Sequence, residues 1–135
     1  MNPSYLYAGT VTKVVDGDTI DVSVDLGFSV FTNTRFRLFG IDTPEKIDKN
    51  EAVKAIAMSA SNFVKNLIEG KNVTIESMAK DKYGRWLAKV HFGTGPTVNE
   101  QLVTMGFAKA YFGDNKINLG WDTPATQVIT EETHA

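Results

Sequence analysis

Arg35-Phe36-Arg37-Leu38-Phe39-Gly40-Ile41-Asp42-Thr43-Pro44-Glu45 decides how the rest of the chain is read. Side chains alternate from Arg35 to Ile41 in the manner of a β-strand, and Asp42-Thr43-Pro44-Glu45 ends that strand in a proline turn. The turn delivers two carboxylates close behind a guanidinium. Arginine presents a rigid fork of donors to phosphate oxygens, whereas Asp and Glu are hard oxygen ligands or bases. The combination suits phosphate chemistry beside a bound cation.

Upstream, residues 7–15 are rich in β-branched side chains and read as a strand that ends in the turn Asp16-Gly17-Asp18-Thr19. The next strand alternates cleanly: Ile20, Val22, Val24 and Leu26 share an apolar face, with Thr19, Asp21, Ser23 and Asp25 on the wet one. Gly27 opens a long hairpin through Phe28, Val30 and Phe31 into the Arg35 strand. Downstream, a charged connector over residues 46–51 reads as a solvated loop. Val53, Ile56, Ala57, Ala60, Phe63, Val64, Leu67 and Ile68 then follow the spacing of an amphipathic helix, with Gly70 as its cap. Residues 72–78 and 85–92 read as two further strands around a polar turn, and Thr97-Val98-Asn99-Glu100 is a capping box that starts a short second helix closed by Gly106. Five strands with helices between and after them predict an α+β fold: a small antiparallel five-stranded Greek-key OB-fold β-barrel with two or three packed helices. Trp86, Phe39 and Phe63 are expected in its core and His91 on its surface.

The chain has 135 residues, no cysteine, two histidines and a formal charge of -2. It is long enough for one self-supporting core, and it lacks the thiolates and imidazoles of a zinc or iron centre, so any metal would be oxygen-bound. The acidic balance excludes a uniformly basic nucleic-acid coat and restricts phosphate binding to a local cluster. The first residues carry no secretory signal and no window has membrane-spanning length. As written, the chain is expected in the cytoplasm and off membranes, with secretion only if a signal was trimmed. Residues 1–112 are expected to form the folded domain. The acidic stretch 113–135 reads as a poorly structured or partner-dependent extension, with Leu119 and Trp121 pinning its start. A monomer is expected, with tail-mediated association left open.

Taken singly, Asp16 to Thr19 is an ordinary turn, and Lys82 to Arg85, within Asp81-Lys82-Tyr83-Gly84-Arg85-Trp86-Leu87-Ala88, an ordinary polar hairpin. Taken together with Arg37 to Glu45, in this order, they closely resemble the staphylococcal nuclease (thermonuclease) family, and Asn99-Glu100, Leu102 and Gly106-Phe107-Ala108 resemble its second helix. The resemblance spans roughly residues 10 to 111. It implies a calcium-dependent phosphodiesterase on an OB-fold barrel that cuts DNA and RNA with little sequence preference and leaves 3′-phosphates. By position it implies Ca²⁺ ligation by Asp18, Asp42 and the carbonyl of Thr43, with Asp16 acting through metal-bound water. Glu45 would orient or deprotonate the attacking water. Arg37 and Arg85 would hold the scissile phosphate, Lys82 and Tyr83 a neighbouring one, and Tyr111 would lie against the nucleotide.

Departures from the family pattern bear on that transfer. The stretch between Asp18 and Arg37 is longer than in the staphylococcal enzyme, so the hairpin projects further and Arg35 is expected to join the phosphate cluster. No basic third helix is evident at the carboxyl end. The competing reading is a catalytically weak nuclease-like barrel that binds nucleic acid or protein, as in eukaryotic relatives that have lost the acids. Asp18, Asp42, Glu45, Arg37 and Arg85 are all present here, which favours the enzyme.

Overall fold

β-Branched strands, a glycine-tightened turn and a helix with one apolar face assemble here around a closed barrel. The structure, a computed structural model, describes residues 5–111, so the expectations for Leu119, Trp121 and the rest of the 113–135 extension lie outside the described residues. The barrel strands are β1 (Leu6–Asp16), β2 (Thr19–Asp25), β3 (Phe31–Leu38), β5 (Asn72–Ser77) and β6 (Trp86–His91). Two short strands, β4 (Ile41–Asp42) and β7 (Lys109–Ala110), pair outside it, and the helices are α1 (Glu51–Ile68) and α2 (Val98–Thr104). Around the barrel the order is β1-β2-β3-β6-β5, with β5 returning to β1. This is the α+β, OB-type barrel expected from the strand pattern, with one difference. All pairs are antiparallel except β3 and β6, which run parallel, because α1 and β5 carry the chain across before β6 closes the ring.

The alternation in β2 works as its sequence indicates: Ile20, Val22 and Val24 are buried, opposite Phe36 and Leu38 of β3 and beside Val11 and Val14 of β1. Register shifts in β1 after Val11 and after Val14 insert extra residues that bend the strand and help the sheet to close. Leu26, expected in the core, lies past the end of β2 and is exposed. The hairpin tip beyond it forces Phe28 and Ser29 to positive φ (56° and 60°) and leaves Phe28 fully exposed (100 %).

Helix α1 starts two residues earlier than its apolar stripe, because the Asn50 side chain accepts from the N–H groups of Ala52 and Val53 and so caps it. Ala57, Ala60, Val64 and Ile68 are buried, while Phe63 is half-buried and tilted against Phe107 at 5.6 Å. Val64 and Ile68, both fully buried, each contribute about 1.5–3 kcal/mol of transfer free energy. The predicted capping box of α2 is present, Thr97 accepting from the Glu100 N–H and Glu100 accepting from the Thr97 N–H. Trp86 departs from expectation. It is 44 % exposed at the start of β6, with the Lys80 ammonium 4.2 Å from its ring centroid, and Phe39 is only half-buried.

Candidate active site

The expected strand from Arg35 to Ile41 is broken at Gly40. That residue takes φ +79°, a left-handed conformation open to glycine, so β3 stops at Leu38 and Ile41-Asp42 leave the barrel to pair with Lys109-Ala110. The break turns Asp42 back toward Arg37. Arg37 Nη2 lies 3.0 Å from Asp42 Oδ1 and 3.4 Å from Asp18 Oδ2, and Nη1 donates to the Ile41 carbonyl at 3.1 Å. With only 12 % of its side chain exposed, Arg37 is held from three directions.

Asp18 is placed by packing. A Cβ on Gly17 would stand 2.7 Å from Ala60 Cβ and 3.2 Å from the Ala60 carbonyl carbon, so only glycine lets the turn lie against α1. The neighbouring Asp18 carbonyl then accepts the Leu38 N–H at 2.8 Å, and its carboxylate Oδ1 accepts the Thr19 hydroxyl at 3.1 Å. On the other flank, buried Asn99 fixes the Phe39-Gly40 turn. Its Nδ2 donates to the carbonyls of Phe39 (2.8 Å) and Ala88 (3.0 Å), while Oδ1 accepts the Val90 N–H (3.0 Å). Sequence reading placed Asn99 only in the second-helix motif. A buried amide with its oxygen and its nitrogen both bonded rigidifies what it joins, here α2, β6 and the turn before Asp42.

Arg85 arrives from the opposite side, on the turn between β5 and β6, and its organiser is Asp81. Asp81 Oδ1 accepts the N–H groups of Tyr83 and Arg85, each at 2.9 Å, and Oδ2 pairs with Arg85 Nε at 2.6 Å. Partial burial works to raise the Asp81 carboxyl, but the hydrogen bonds from the Arg85 backbone and side chain and from Tyr83 outweigh it and hold its pKa below the ordinary value. Asp81 was quoted in the sequence motif without a role; a carboxylate followed two and four residues later by groups it can bind is the local signal.

A cleft of about 390 Å³ gathers Arg37, Lys82, Tyr83, Arg85 and Tyr111 along its walls. Tyr111 is brought there by its N–H donating to the Gly40 carbonyl (2.8 Å), and its ring lies 6.0 Å from the Arg37 guanidinium carbon. Lys82 and Arg85 both lie near the Tyr83 ring, at 5.3 and 5.2 Å. Asp18, Asp42, Thr43 and Glu45 do not line this cleft; Arg37 joins it to Asp18 and Asp42. Thr43 and Pro44 are buried, and Glu45 stands exposed beyond them with its carbonyl accepting the Asp48 N–H.

Other expected residues fall elsewhere. Asp16 pairs with Lys46 at 3.2 Å, and Lys46 also donates to the Val15 carbonyl, so the start of the supposed solvated connector is tied to β1. Arg35 is not in the phosphate cluster, because the β2–β3 register sets Asp21 directly opposite. Nε and Nη2 grip Asp21 Oδ1 and Oδ2 at 2.8 and 3.1 Å, and this Arg35 hydrogen bond lowers the Asp21 pKa. His91 sits partly exposed, 2.9 Å from Glu76.

Among the described residues no group of three or more acid or imidazole side chains gathers as a ready metal cage. What the residues offer is two carboxylates drawn together by one guanidinium, followed at once by Thr43. That donor set is hard oxygen, which fits a hard divalent cation such as Ca²⁺ with much of its coordination left to water and substrate.

A strand-turn motif carrying two acids behind Arg37, a second arginine on the β5–β6 turn and a barrel closed by one parallel pair form a specific combination. The profile of the family described as "Staphylococcal nuclease homologue" matches residues 35–128. The chain belongs to the staphylococcal nuclease family. Among relatives of this family, the Thermonuclease of Staphylococcus intermedius is 39 % identical over 104 residues, covering 76 % of this chain and 58 % of that protein. Endonuclease YhcR of Bacillus subtilis is 38 % identical over 114 residues, which are 78 % of this chain and 9 % of its own length. An uncharacterized endonuclease of Escherichia coli is 37 % identical over 103 residues, 76 % of this chain and 60 % of that protein. The family match thus concerns a domain, and the chain spans less than two thirds of each of these relatives.

Proposed function

We propose that the chain is a calcium-dependent phosphodiesterase that hydrolyses DNA and RNA with little sequence preference and leaves 3′-phosphates. The observation that carries this reading is the convergence of Arg37 and Arg85 on one cleft, with Arg37 also bonded to Asp18 and Asp42. The nuclease names of the family relatives support it.

A phosphodiester is an anion that repels hydroxide, so hydrolysis needs charge neutralised on its nonbridging oxygens, an oriented water and help for the departing oxygen. Arg37 and Arg85 meet the phosphate from two walls. Each guanidinium forms paired hydrogen bonds that tighten as charge builds on phosphorus, and losing one such donor costs on the order of 3 kcal/mol, a few hundredfold in rate. Arg85, on the turn, eases departure of the 5′-oxygen. Lys82 and Tyr83 hold the neighbouring phosphate, and Tyr111 lies against the nucleotide. Glu45, exposed past the buried Thr43-Pro44 pair, orients the attacking water and takes its proton. The Asp18 and Asp42 carboxylates with the Thr43 carbonyl would hold Ca²⁺, which supplies positive charge to the phosphate oxygens when bound.

The test is incubation of single-stranded DNA and RNA with the purified protein in Ca²⁺ and in excess EGTA, followed by end-group analysis. Cleavage of both polymers, abolished by EGTA and yielding 3′-phosphate ends, is the expected result. Tight binding without cleavage in Ca²⁺ would overturn the enzyme reading in favour of a binding module.

A further inference from the structure

Trp86 is a large apolar side chain left 44 % exposed, and nothing in the proposed hydrolysis uses it. Its position follows from the turn that carries Arg85. Asp81 and Arg85 are joined by the Asp81 N–H and the Arg85 carbonyl at 3.0 Å, and Met78 and Leu87 by a similar bond at 2.8 Å, so the two arms of the turn stay close. Arg85 and Leu87 line the cleft. Trp86 between them belongs to the other side of the strand, and Lys80, itself a cleft residue, reaches over the ring at 4.2 Å. An indole with a cation on it thus follows Arg85 directly in the chain, and that cation lines the cleft together with Arg85 and Lys82.

We propose that Trp86 and Lys80 form an additional nucleotide subsite, one step beyond the cleft, in which the indole stacks a nucleobase and Lys80 binds the phosphate attached to it. The inference rests on the nucleic-acid substrate proposed above. Every base has a π-face, so such stacking is tolerant of sequence, and aromatic rings beside cations are the usual elements of single-strand binding. Charge complementarity selects the occupant: Lys80 lies against the ring and also lines the cleft with Lys82 and Arg85, which suits a polyanion carrying flat bases rather than an apolar peptide. A strand leaving the cleft over Lys80 meets the indole next.

The experiment uses the full chain with Trp121→Phe, which leaves Trp86 as the one tryptophan, and phosphorothioate oligothymidylates that resist hydrolysis, in Ca²⁺. Stacking predicts that an eight-nucleotide strand quenches Trp86 emission while a dinucleotide of thymidine binds without quenching. Trp86→Ala should weaken binding of the longer strand about tenfold and leave cleavage of the ordinary dinucleotide unchanged, with Trp86→Phe recovering most of the loss and Lys80→Met weakening the longer strand severalfold. Binding of the longer strand with unchanged Trp86 emission would overturn the subsite while leaving the nuclease reading intact. Absence of both binding and cleavage by the unsubstituted chain would overturn the two together. The emission readout does not depend on any variant at position 86 folding.

Discussion

Arg37 and Arg85 face the same cleft, yet the chain holds them in opposite ways. Arg37 projects from a barrel strand, is 12 % exposed and is bound to Asp18, Asp42 and the Ile41 carbonyl. Arg85 stands on a turn, is 49 % exposed and is held by a single carboxylate four residues before it. The first is part of the frame, and moving it would disturb Asp18, Asp42 and the β3–β4 break at once. The second depends on one local contact, so moving it would disturb only the turn that carries it. On the proposed reading, such a site would fix the charge that positions substrate and leave adjustable the charge that follows the reaction.

The largest effect is expected from substitution of Arg37. Arg37→Ala is expected to lower kcat/KM by about a thousandfold or more, and also to destabilise the fold by about 1–3 kcal/mol, because two partly buried carboxylates lose the guanidinium they share. Urea unfolding beside kinetics checks both, and full stability in that variant would remove Arg37 from the frame. Arg85→Lys keeps the charge and loses the fork, so a few-hundredfold loss of rate is expected with stability unchanged within about 0.5 kcal/mol. Near-normal turnover would show that paired hydrogen bonding is not needed at that wall.

A smaller effect is expected at Asp81. Because hydrogen bonds from Arg85 and Tyr83 depress its pKa in the folded state, its contribution is complete above the ordinary carboxylate value of about 3.9 and is lost as pH falls through the lower folded value. Asp81→Asn should therefore cost less than about 1 kcal/mol at pH 7, since its partner is half-exposed, and the gap to the parent chain should shrink only in strong acid. The Arg85 Nε–H resonance followed by NMR should keep its bonded position down to below about pH 4 in the parent and lose it at every pH in the variant. A resonance that titrates near neutrality would contradict the clamp.

The barrel was largely legible in the sequence because period-two alternation and turn residues are local. Ile20, Val22 and Val24 announce their face, and Thr97 with Glu100 announces a helix start. Most of the named catalytic candidates came from a resemblance carried by short motifs, and the structure places Arg37 with Asp18 and Asp42, and Arg37 with Arg85, Lys82, Tyr83 and Tyr111. What stayed hidden depends on contacts distant in sequence. Gly17 reads as a turn glycine, whereas its reason is the close approach of Ala60 on α1. Asn99 reads as a helix-start residue, whereas it links β6 to the Phe39 turn. Arg35 and Trp86 were misplaced for the same cause: alternation gives a face, but only the register across strands sets Asp21 against Arg35, and only the folded turn sets Lys80 on Trp86.

Glu45 tests the whole account most directly, because it stands exposed at the end of the decisive stretch and is assigned a role in turnover alone. The measurement is hydrolysis of single-stranded DNA in Ca²⁺ by the parent chain and by Glu45→Gln, with binding of the same DNA measured in parallel. Turnover is expected to fall by about a hundredfold or more while DNA and Ca²⁺ affinity stay within about twofold. Turnover retained by Glu45→Gln, or lost only in proportion to binding, would contradict the placement of the reaction at this site.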